Sequence, residues 1–378
     1  MGAVLAAALD ASSGFAQTAH RYSVRGFGGA AYADLSNNGR WAEAATKDGE
    51  FGNYSFALSL ALQPWDKVGV RTQGFVGHNL RGEKLNLDYG FAEYAHSPGL
   101  KLRGGKVLTP FGLYSEIYDV GTLRPFYYLP QFYQGRLGLI PKGYLGAGIT
   151  GIRSLGSEWE IGYDAFGGEM RFEEFTTAQL TGFDPATRLP IIAETDMRLV
   201  GSKMVGGRVL VASPGHGIDI GGSVFYIGHL QQQTPEGRKP FALGDEGTFA
   251  NGRLQYQRGG LTARAEYFGV FTEKADVRSW YAEVSQKLIW RLQLAAQYEN
   301  TDLSLLPGDN SLPPPLRVHE SVGVALNFWL NPNFVVKLNG YHVEGNLLNR
   351  PPGAIVSYLK GTLETKTNVL VLGTQFSF

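Results

Sequence analysis

Polar and apolar residues alternate along most of this chain, in segments of about ten residues. The pattern is clear at residues 54–62 and 85–91, and it returns near the C-terminus, where Leu370, Leu372 and Phe376 share one face. Successive residues of a β-strand point to opposite faces of the sheet, so this period of two predicts strands. Strands of about this length, when tilted, span the apolar layer of an outer membrane.

The alternation predicts about sixteen strands, an even number as single-chain bacterial barrels require. Links after even-numbered strands are short, whereas the long links at 34–51, 108–142, 169–195, 231–246, 302–317 and 346–365 all follow odd-numbered strands. Short periplasmic turns and long outer loops are typical of outer-membrane barrels. The predicted strands are residues 22–33, 52–63, 66–78, 84–96, 99–107, 143–153, 157–168, 196–212, 217–230, 247–258, 260–273, 276–289, 291–301, 318–330, 333–345 and 366–378.

The tryptophans support the same interpretation. Trp65, Trp159, Trp290 and Trp329 lie at or beside the short links, where an aromatic girdle at the inner membrane interface would place them. The structural alternative is a soluble β protein with two packed sheets, in which these aromatic residues belong to the core.

Composition narrows the function classes. The chain of 378 residues contains 51 Gly and no Cys, which excludes disulfides, thiolate metal ligands and Cys nucleophiles. Lys plus Arg and Asp plus Glu both number 34, so no net basic field attracts nucleic acid. No stretch of about 18 apolar residues suggests a membrane helix. The mean hydropathy of -0.13 suits a barrel in which every second residue meets lipid.

Residues 1–17 are predicted to be a remnant of a secretory signal. They contain an apolar stretch at 4–9 and a small-x-small site at residues 14–16, although Asp10 follows the apolar stretch and no Lys or Arg precedes it. This interpretation leaves residues 18–378 as a single barrel domain, with residues 108–142 as a constriction loop.

The last strand ends on Phe378 and resembles the final strand of Gram-negative outer-membrane barrels, whose terminal Phe is read by the assembly machinery. Residues 105–114, GKVLTPFGLY, followed by Arg124-Pro125 and Leu129-Pro130, resemble the porins grouped with the phosphate-selective porins O and P. Strand number and loop pattern resemble porins over almost the whole chain. The resemblance implies a bacterial outer-membrane location, contact with outer-membrane lipid and lipopolysaccharide, and a homotrimer.

The resemblance also implies where residues 108–142 lie, because the loop after strand five of general porins folds into the lumen and narrows it. This connection is long and rich in Phe and Tyr, so it should pack against other residues rather than extend into solvent. The expected fold is therefore all-β: a transmembrane antiparallel β-barrel of about 16 strands with a long inward-folding loop after strand 5.

Charged residues on the predicted lumen face suggest how a pore would act on solutes. Strands one, three and five place basic residues there, strands seven and nine add acidic residues such as Asp164, and the loop adds more of both signs. A basic wall opposite acidic loop residues produces a transverse field that orients ions and dipolar solutes. The alternative is that these charges solvate a wide lumen or hold the loop by ion pairs. The candidate pore-lining and constriction residues are Arg25, Arg71, Lys101, Arg103, Glu116, Asp119, Arg124 and Arg136.

Motifs for catalysis or cofactor binding are weak. Residues 146–151 fit G-x-G-x-x-G but continue into another predicted strand, so the helix terminus that would bind phosphate is missing. The seven His residues lack zinc-ligand spacing, and no nucleophile elbow is present. We predict no catalytic, cofactor or metal site, no enzymatic activity and no nucleic-acid partner.

The sequence favours an outer-membrane porin, a passive diffusion channel for small hydrophilic or ionic solutes. Two alternatives stay open. One is a substrate-selective channel for phosphate-like anions or hydrophobic compounds, and the other is a structural or adhesive outer-membrane barrel; a hydrolase ranks last.

Overall fold

The structure, a computed structural model, describes residues 21–39, 49–79, 82–134, 140–186, 188, 190–234, 237–241, 244–305, 312–348 and 353–378. The predicted signal remnant at residues 1–17 and the candidate residue Arg136 lie outside the described residues.

One antiparallel sheet of seventeen strands dominates the described chain. Strand β10 only extends the end of β9, and the other sixteen strands close into a barrel because β1 pairs with β17. The strands are β1 (Tyr22–Leu35), β2 (Glu50–Trp65), β3 (Val68–Asn79), β4 (Gly82–Ser97), β5 (Leu100–Leu108), β6 (Gly143–Leu155), β7 (Trp159–Phe183), β8 (Pro190–Ser213), β9 (Ile218–Thr234), β10 (Gly237–Pro240), β11 (Gly247–Arg258), β12 (Leu261–Thr272), β13 (Ala275–Lys287), β14 (Leu292–Leu305), β15 (Val318–Asn331), β16 (Phe334–Glu344) and β17 (Lys366–Ser377).

The described helices are short. Two are 3₁₀ turns, at Gly121–Leu123 and Ile289–Arg291, and three are α-helical: α1 (Gln131–Gln134), α2 (Pro314–Arg317) and α3 (Ala354–Leu359). Among the described residues, no helix has both the length and the apolar character needed to cross a membrane.

The outer face of the barrel is apolar. Along β15, Val322, Val324 and Leu326 are exposed, whereas Ser321 and Asn327, which point inward, are buried. A closed barrel leaves no strand edge unpaired, so its backbone polar groups are satisfied within lipid. The closed sixteen-strand barrel and its apolar exterior place the protein in the bacterial outer membrane.

The prediction of a sixteen-strand antiparallel barrel is confirmed, and the short links at 66–67, 98–99, 156–158 and 332–333 lie at one end of it. The prediction of a long loop at residues 169–195 is wrong, because β7 runs on to Phe183 and β8 begins at Pro190. Register shifts between Gly168 and Met170 and between Arg171 and Glu174 interrupt the period of two. The sequence therefore shows no regular alternation of polar and apolar residues in this part of the β7–β8 hairpin, although both strands continue.

The described residues of the connection between β5 and β6, 109–134 and 140–142, lie inside the barrel; we call them the inner segment. The ring of Phe111 lies 4.9 Å from that of Phe225 on β9, and Phe126 lies 5.7 Å from Tyr341 on β16. On the other side, Asn53 of β2 donates a hydrogen bond of 2.8 Å to the Tyr128 hydroxyl. Because the inner segment contacts such distant parts of the wall, it fills much of the lumen.

A buried lysine fixes one part of the inner segment. Lys337 on β16 is fully buried, and its ammonium group donates hydrogen bonds to the backbone carbonyl oxygens of Gly121, Arg124 and Phe126, at 2.9, 2.6 and 3.2 Å. An ammonium group has three donors, so this arrangement satisfies all of them.

Buried carboxylates of the barrel wall bind other parts of the inner segment. Glu266 on β12 accepts hydrogen bonds from the backbone N–H of Leu113 at 2.6 Å and from the Tyr133 hydroxyl at 2.7 Å. Glu299 on β14 accepts one from the backbone N–H of Gln131 at 2.7 Å. The wall thus supplies partners for backbone groups that the inner segment, which contains little secondary structure, leaves unpaired.

Replacing Lys337 by Met should loosen the inner segment. The change leaves three buried carbonyl oxygens without their shared donor, and each unsatisfied group costs about 1–3 kcal/mol. We expect faster proteolysis within the inner segment and a lower temperature for the heat-induced shift in gel mobility. Lys360→Met, at an exposed lysine that follows α3, is the matched control, and equal behaviour of the two variants would contradict the anchoring role.

Candidate functional site

A cavity of about 570 Å³ remains between the inner segment and the wall formed by β1 to β5. Arg21 and Gln63 line it near the end of the barrel with the short turns, which is the periplasmic end. Asp119 and Lys142 of the inner segment line it farther from that end. This cavity is the candidate site for passage or binding of solutes.

Three arginines of the wall line the cavity: Arg25 on β1, Arg71 on β3 and Arg103 on β5. Each points inward because its strand alternates, and the neighbouring Val24, Val70 and Leu102 are exposed on the outer face. The structure therefore brings these three sequence-predicted residues together. Within the described part of the chain, Arg25 has no hydrogen-bonding or ionic partner, and its side chain is exposed to the cavity.

Glu93 on β4 is a central residue of this wall that the sequence analysis missed. Its buried carboxylate lies 2.7 Å from Nε of Arg103, 3.8 Å from Nζ of Lys101 and 3.9 Å from Nη2 of Arg71. Three basic side chains thus lie within 4 Å of this one carboxylate. The alternation on β4 could not find it, because a register shift between Leu87 and Tyr89 interrupts the period of two, and the pattern of Leu85 and Leu87 would place Glu93 on the outer face.

Lys101, the fourth predicted basic residue of the wall, is buried beside Glu93 and does not line the cavity. Its position corrects the prediction for this residue. Arg71 and Arg103 line the cavity, whereas Lys101 does not.

Glu116 of the inner segment lines the cavity from the opposite side and pairs with Arg208 of β8 at 2.7 Å. Arg208 also binds Asp164 of β7 at 2.8 Å. Burial of the Glu116 carboxylate opposes its ionisation, but the Arg208 guanidinium outweighs this effect and lowers the pKa of Glu116. Glu116 is therefore negatively charged at neutral pH, and it shares Arg208 with Asp164.

Asp119 is also balanced by a basic residue. It lies 2.9 Å from Nζ of Lys142 and accepts a hydrogen bond of 2.8 Å from the Gln73 side chain. Lys142 lies 3.5 Å from Asp88, to which Gln73 also donates a hydrogen bond, at 3.1 Å. This polar cluster joins the inner segment to β3 and β4 beside the cavity.

Arg124 does not line the cavity, which corrects the prediction made from sequence. It is buried within the inner segment, directly after the 3₁₀ turn at Gly121–Leu123, and its backbone carbonyl oxygen accepts the bond from Lys337. The turn directs Leu123 towards the cavity while the Arg124 side chain is enclosed. No strand alternation operates in this segment, so the sequence held no signal for the direction of either side chain.

The cavity lining carries a net positive charge. Among its ionisable Arg, Lys, Asp and Glu residues, five are basic and two are acidic, which leaves a net charge of +3. The described residues contain no group of three or more His, Asp or Glu side chains that could hold a metal ion. The site can thus attract and hold anions through arginine side chains. The basic residues are Arg21, Arg25, Arg71, Arg103 and Lys142, and the acidic ones are Glu116 and Asp119.

No protein-family model matches the chain, and no curated protein matches its sequence. Solved structures do resemble it. The outer membrane channel DcaP of Acinetobacter baumannii has a TM-score of 0.57 at 9% identity, over 94% of this chain and 97% of that one. OmpF of Salmonella typhi, in complex with daunomycin, has a TM-score of 0.57 at 12% identity over the same shares of the two chains.

An anion-selective porin from Comamonas acidovorans has a TM-score of 0.54 at 11% identity, over 94% of this chain and 99% of that one. At sequence identities this low, the structural similarity shows a shared fold and no more. The chain therefore has the barrel fold of outer-membrane porins and channels, while the nearer resemblance to the phosphate-selective porins O and P stays a prediction.

The pairing of Glu116 with Arg208 predicts a specific pH dependence. Because the pKa of Glu116 is below its ordinary value of 4.5, its ion pair should persist down to about that pH and be lost at lower pH. In Arg208→Gln, burial acts without its main opposing charge, so Glu116 should take up a proton nearer neutral pH. Acidification from pH 7 to 5 should then raise the anion preference of this variant, as measured by reversal potentials in a salt gradient.

The double variant Arg208→Gln with Glu116→Gln is the control, because it lacks the titrating carboxylate. If both variants respond equally to acid, the titration of Glu116 does not affect the cavity.

Proposed function

We propose that the protein is an outer-membrane channel through which small hydrophilic or ionic solutes diffuse passively, with a preference for anions. The observation that carries the proposal is the cavity beside β1 to β5, whose lining has a net charge of +3. A water-accessible space lined by excess positive charge concentrates anions and repels cations. The porin-like fold supports the same function.

A substrate-selective channel is the second candidate, and the filled lumen favours it over a wide general pore. The inner segment contributes buried aromatic residues such as Phe111, Tyr114 and Phe132 to a hydrophobic cluster that spans the lumen. The path for solutes is thereby confined to one side of the barrel. A confined path brings each solute into contact with the arginines of the wall.

The proposal includes no enzymatic step. It includes a homotrimer embedded among outer-membrane lipid and lipopolysaccharide, as in the porins that share this fold. The apolar outer face of the strands supports contact with lipid, and one structure of similar fold, OmpT of Vibrio cholerae, is described as a trimer.

Replacing Arg25 by Gln should lower the anion preference. Arg25 lines the cavity without an ionic partner in the described chain, so its loss leaves no carboxylate unpaired. A unit charge about 4 Å away in water contributes about 1 kcal/mol, so the anion-to-cation permeability ratio should fall by up to about fivefold in reversal-potential measurements. Arg278→Gln, at an exposed arginine, is the control, and no difference from that control would contradict the proposal.

Deleting residues 116–136 should raise single-channel conductance and the size limit for solutes. The deletion removes most of the inner segment, while every strand pair of the barrel is kept. A folded variant, identified by heat-modifiable gel mobility, with unchanged conductance would show that the inner segment does not limit passage. Steady current in the wild type supports diffusion, saturable block by one solute supports the selective channel, and silence supports a structural barrel.

A further inference from the structure

We propose that the cavity binds small organic anions that combine a carboxylate with an apolar body, such as aromatic monocarboxylates, in preference to inorganic anions. The inference rests on the proposed channel function and names the class of solute that the cavity fits. It follows from the different chemistry of the two sides of the cavity.

The wall side already shows how a carboxylate is bound there. Glu93 is held by Arg103 at 2.7 Å, with Arg71 at 3.9 Å, and both arginines also line the cavity. Arg25 lines the same space and has no ionic partner within the described residues. Guanidinium groups bind carboxylates through paired, charge-assisted hydrogen bonds. Arg25 and its neighbours therefore offer a second carboxylate a place beside that of Glu93.

The side formed by the inner segment contains an apolar patch of three aliphatic residues. Ile117, Val120 and Leu123 line the cavity; Ile117 belongs to the buried cluster of the lumen, and the other two pack against it. Phe27 of β1 adds an aromatic ring to the lining. Glu116 and Asp119, the acidic residues of this side, form ion pairs with Arg208 and Lys142. An apolar group on the anion would thus be removed from water against these side chains.

The size of the cavity agrees with such a ligand. Pockets that bind small molecules have volumes of roughly 300–1,000 Å³, with largely apolar walls and a few placed polar groups, and this cavity measures about 570 Å³. Inorganic phosphate would reach the arginines but leave the apolar side uncovered. A ring carboxylate would use both sides.

The first test compares benzoate, acetate and inorganic phosphate as blockers of current through wild-type channels. Benzoate and acetate carry the same charged group, so the ratio of their apparent affinities isolates the contribution of the ring. Burial of a ring corresponds to roughly tenfold or more in affinity. We expect benzoate to block at least about tenfold more tightly than acetate, and more tightly than phosphate.

The second test assigns the ring to the apolar side. Leu123→Ser should lower the benzoate-to-acetate ratio several-fold and leave the reversal potential unchanged, whereas Arg25→Gln should weaken both anions and leave the ratio unchanged. Leu359→Ser, at an exposed leucine of α3, is the matched control and should behave like the wild type.

Equal block by benzoate and acetate in the wild type would overturn the inference, and so would tighter block by phosphate. Either result with a preserved anion preference would leave the proposed function standing. A wild-type channel without anion preference would instead overturn the proposed function itself. The wild-type comparison decides the inference even if a variant fails to fold.

Discussion

The hydrogen bonds between buried charged side chains of the barrel wall and the backbone of the inner segment determine what the lumen contains. Lys337, Glu266 and Glu299 are buried polar side chains that would be costly to bury without hydrogen-bond partners. The inner segment has backbone groups that little secondary structure satisfies. The wall side chains form hydrogen bonds with these backbone groups. The inner segment is therefore held across the barrel rather than along one side of its wall.

The position of the cavity follows from this attachment. The anchoring side chains lie on β12, β14 and β16, and the cavity lies along β1 to β5 on the other side. There the wall contributes Arg21, Arg25, Arg71 and Arg103 to the lining of the cavity, so basic residues outnumber acidic ones. Glu116 and Asp119 of the inner segment do not remove the excess, since the lining residues carry a net charge of +3 with both of them counted. The charge of the site is thus a property of the wall.

The sequence by itself determined the barrel and, wherever the alternation is unbroken, the face on which each strand residue lies. Side-chain direction in a strand has a period of two that the backbone imposes locally, so Arg25, Arg71 and Arg103 could be placed inside before any contact was known. The same rule misplaces Glu93 on β4, where a register shift between Leu87 and Tyr89 turns the following residues to the opposite face. It also failed at residues 169–195, where register shifts break the period although the strands continue.

Only the tertiary structure decided which inward-facing residues meet water and which are buried. Lys337 and Arg25 both face inward, yet Lys337 is fully buried beneath the inner segment and Arg25 is exposed. The difference depends on contacts between positions far apart in the chain, such as Lys337 with the carbonyl oxygen of Arg124. The inner segment has no regular period, so its path and the enclosure of Arg124 arise from packing and hydrogen bonding across the lumen, which no local pattern encodes.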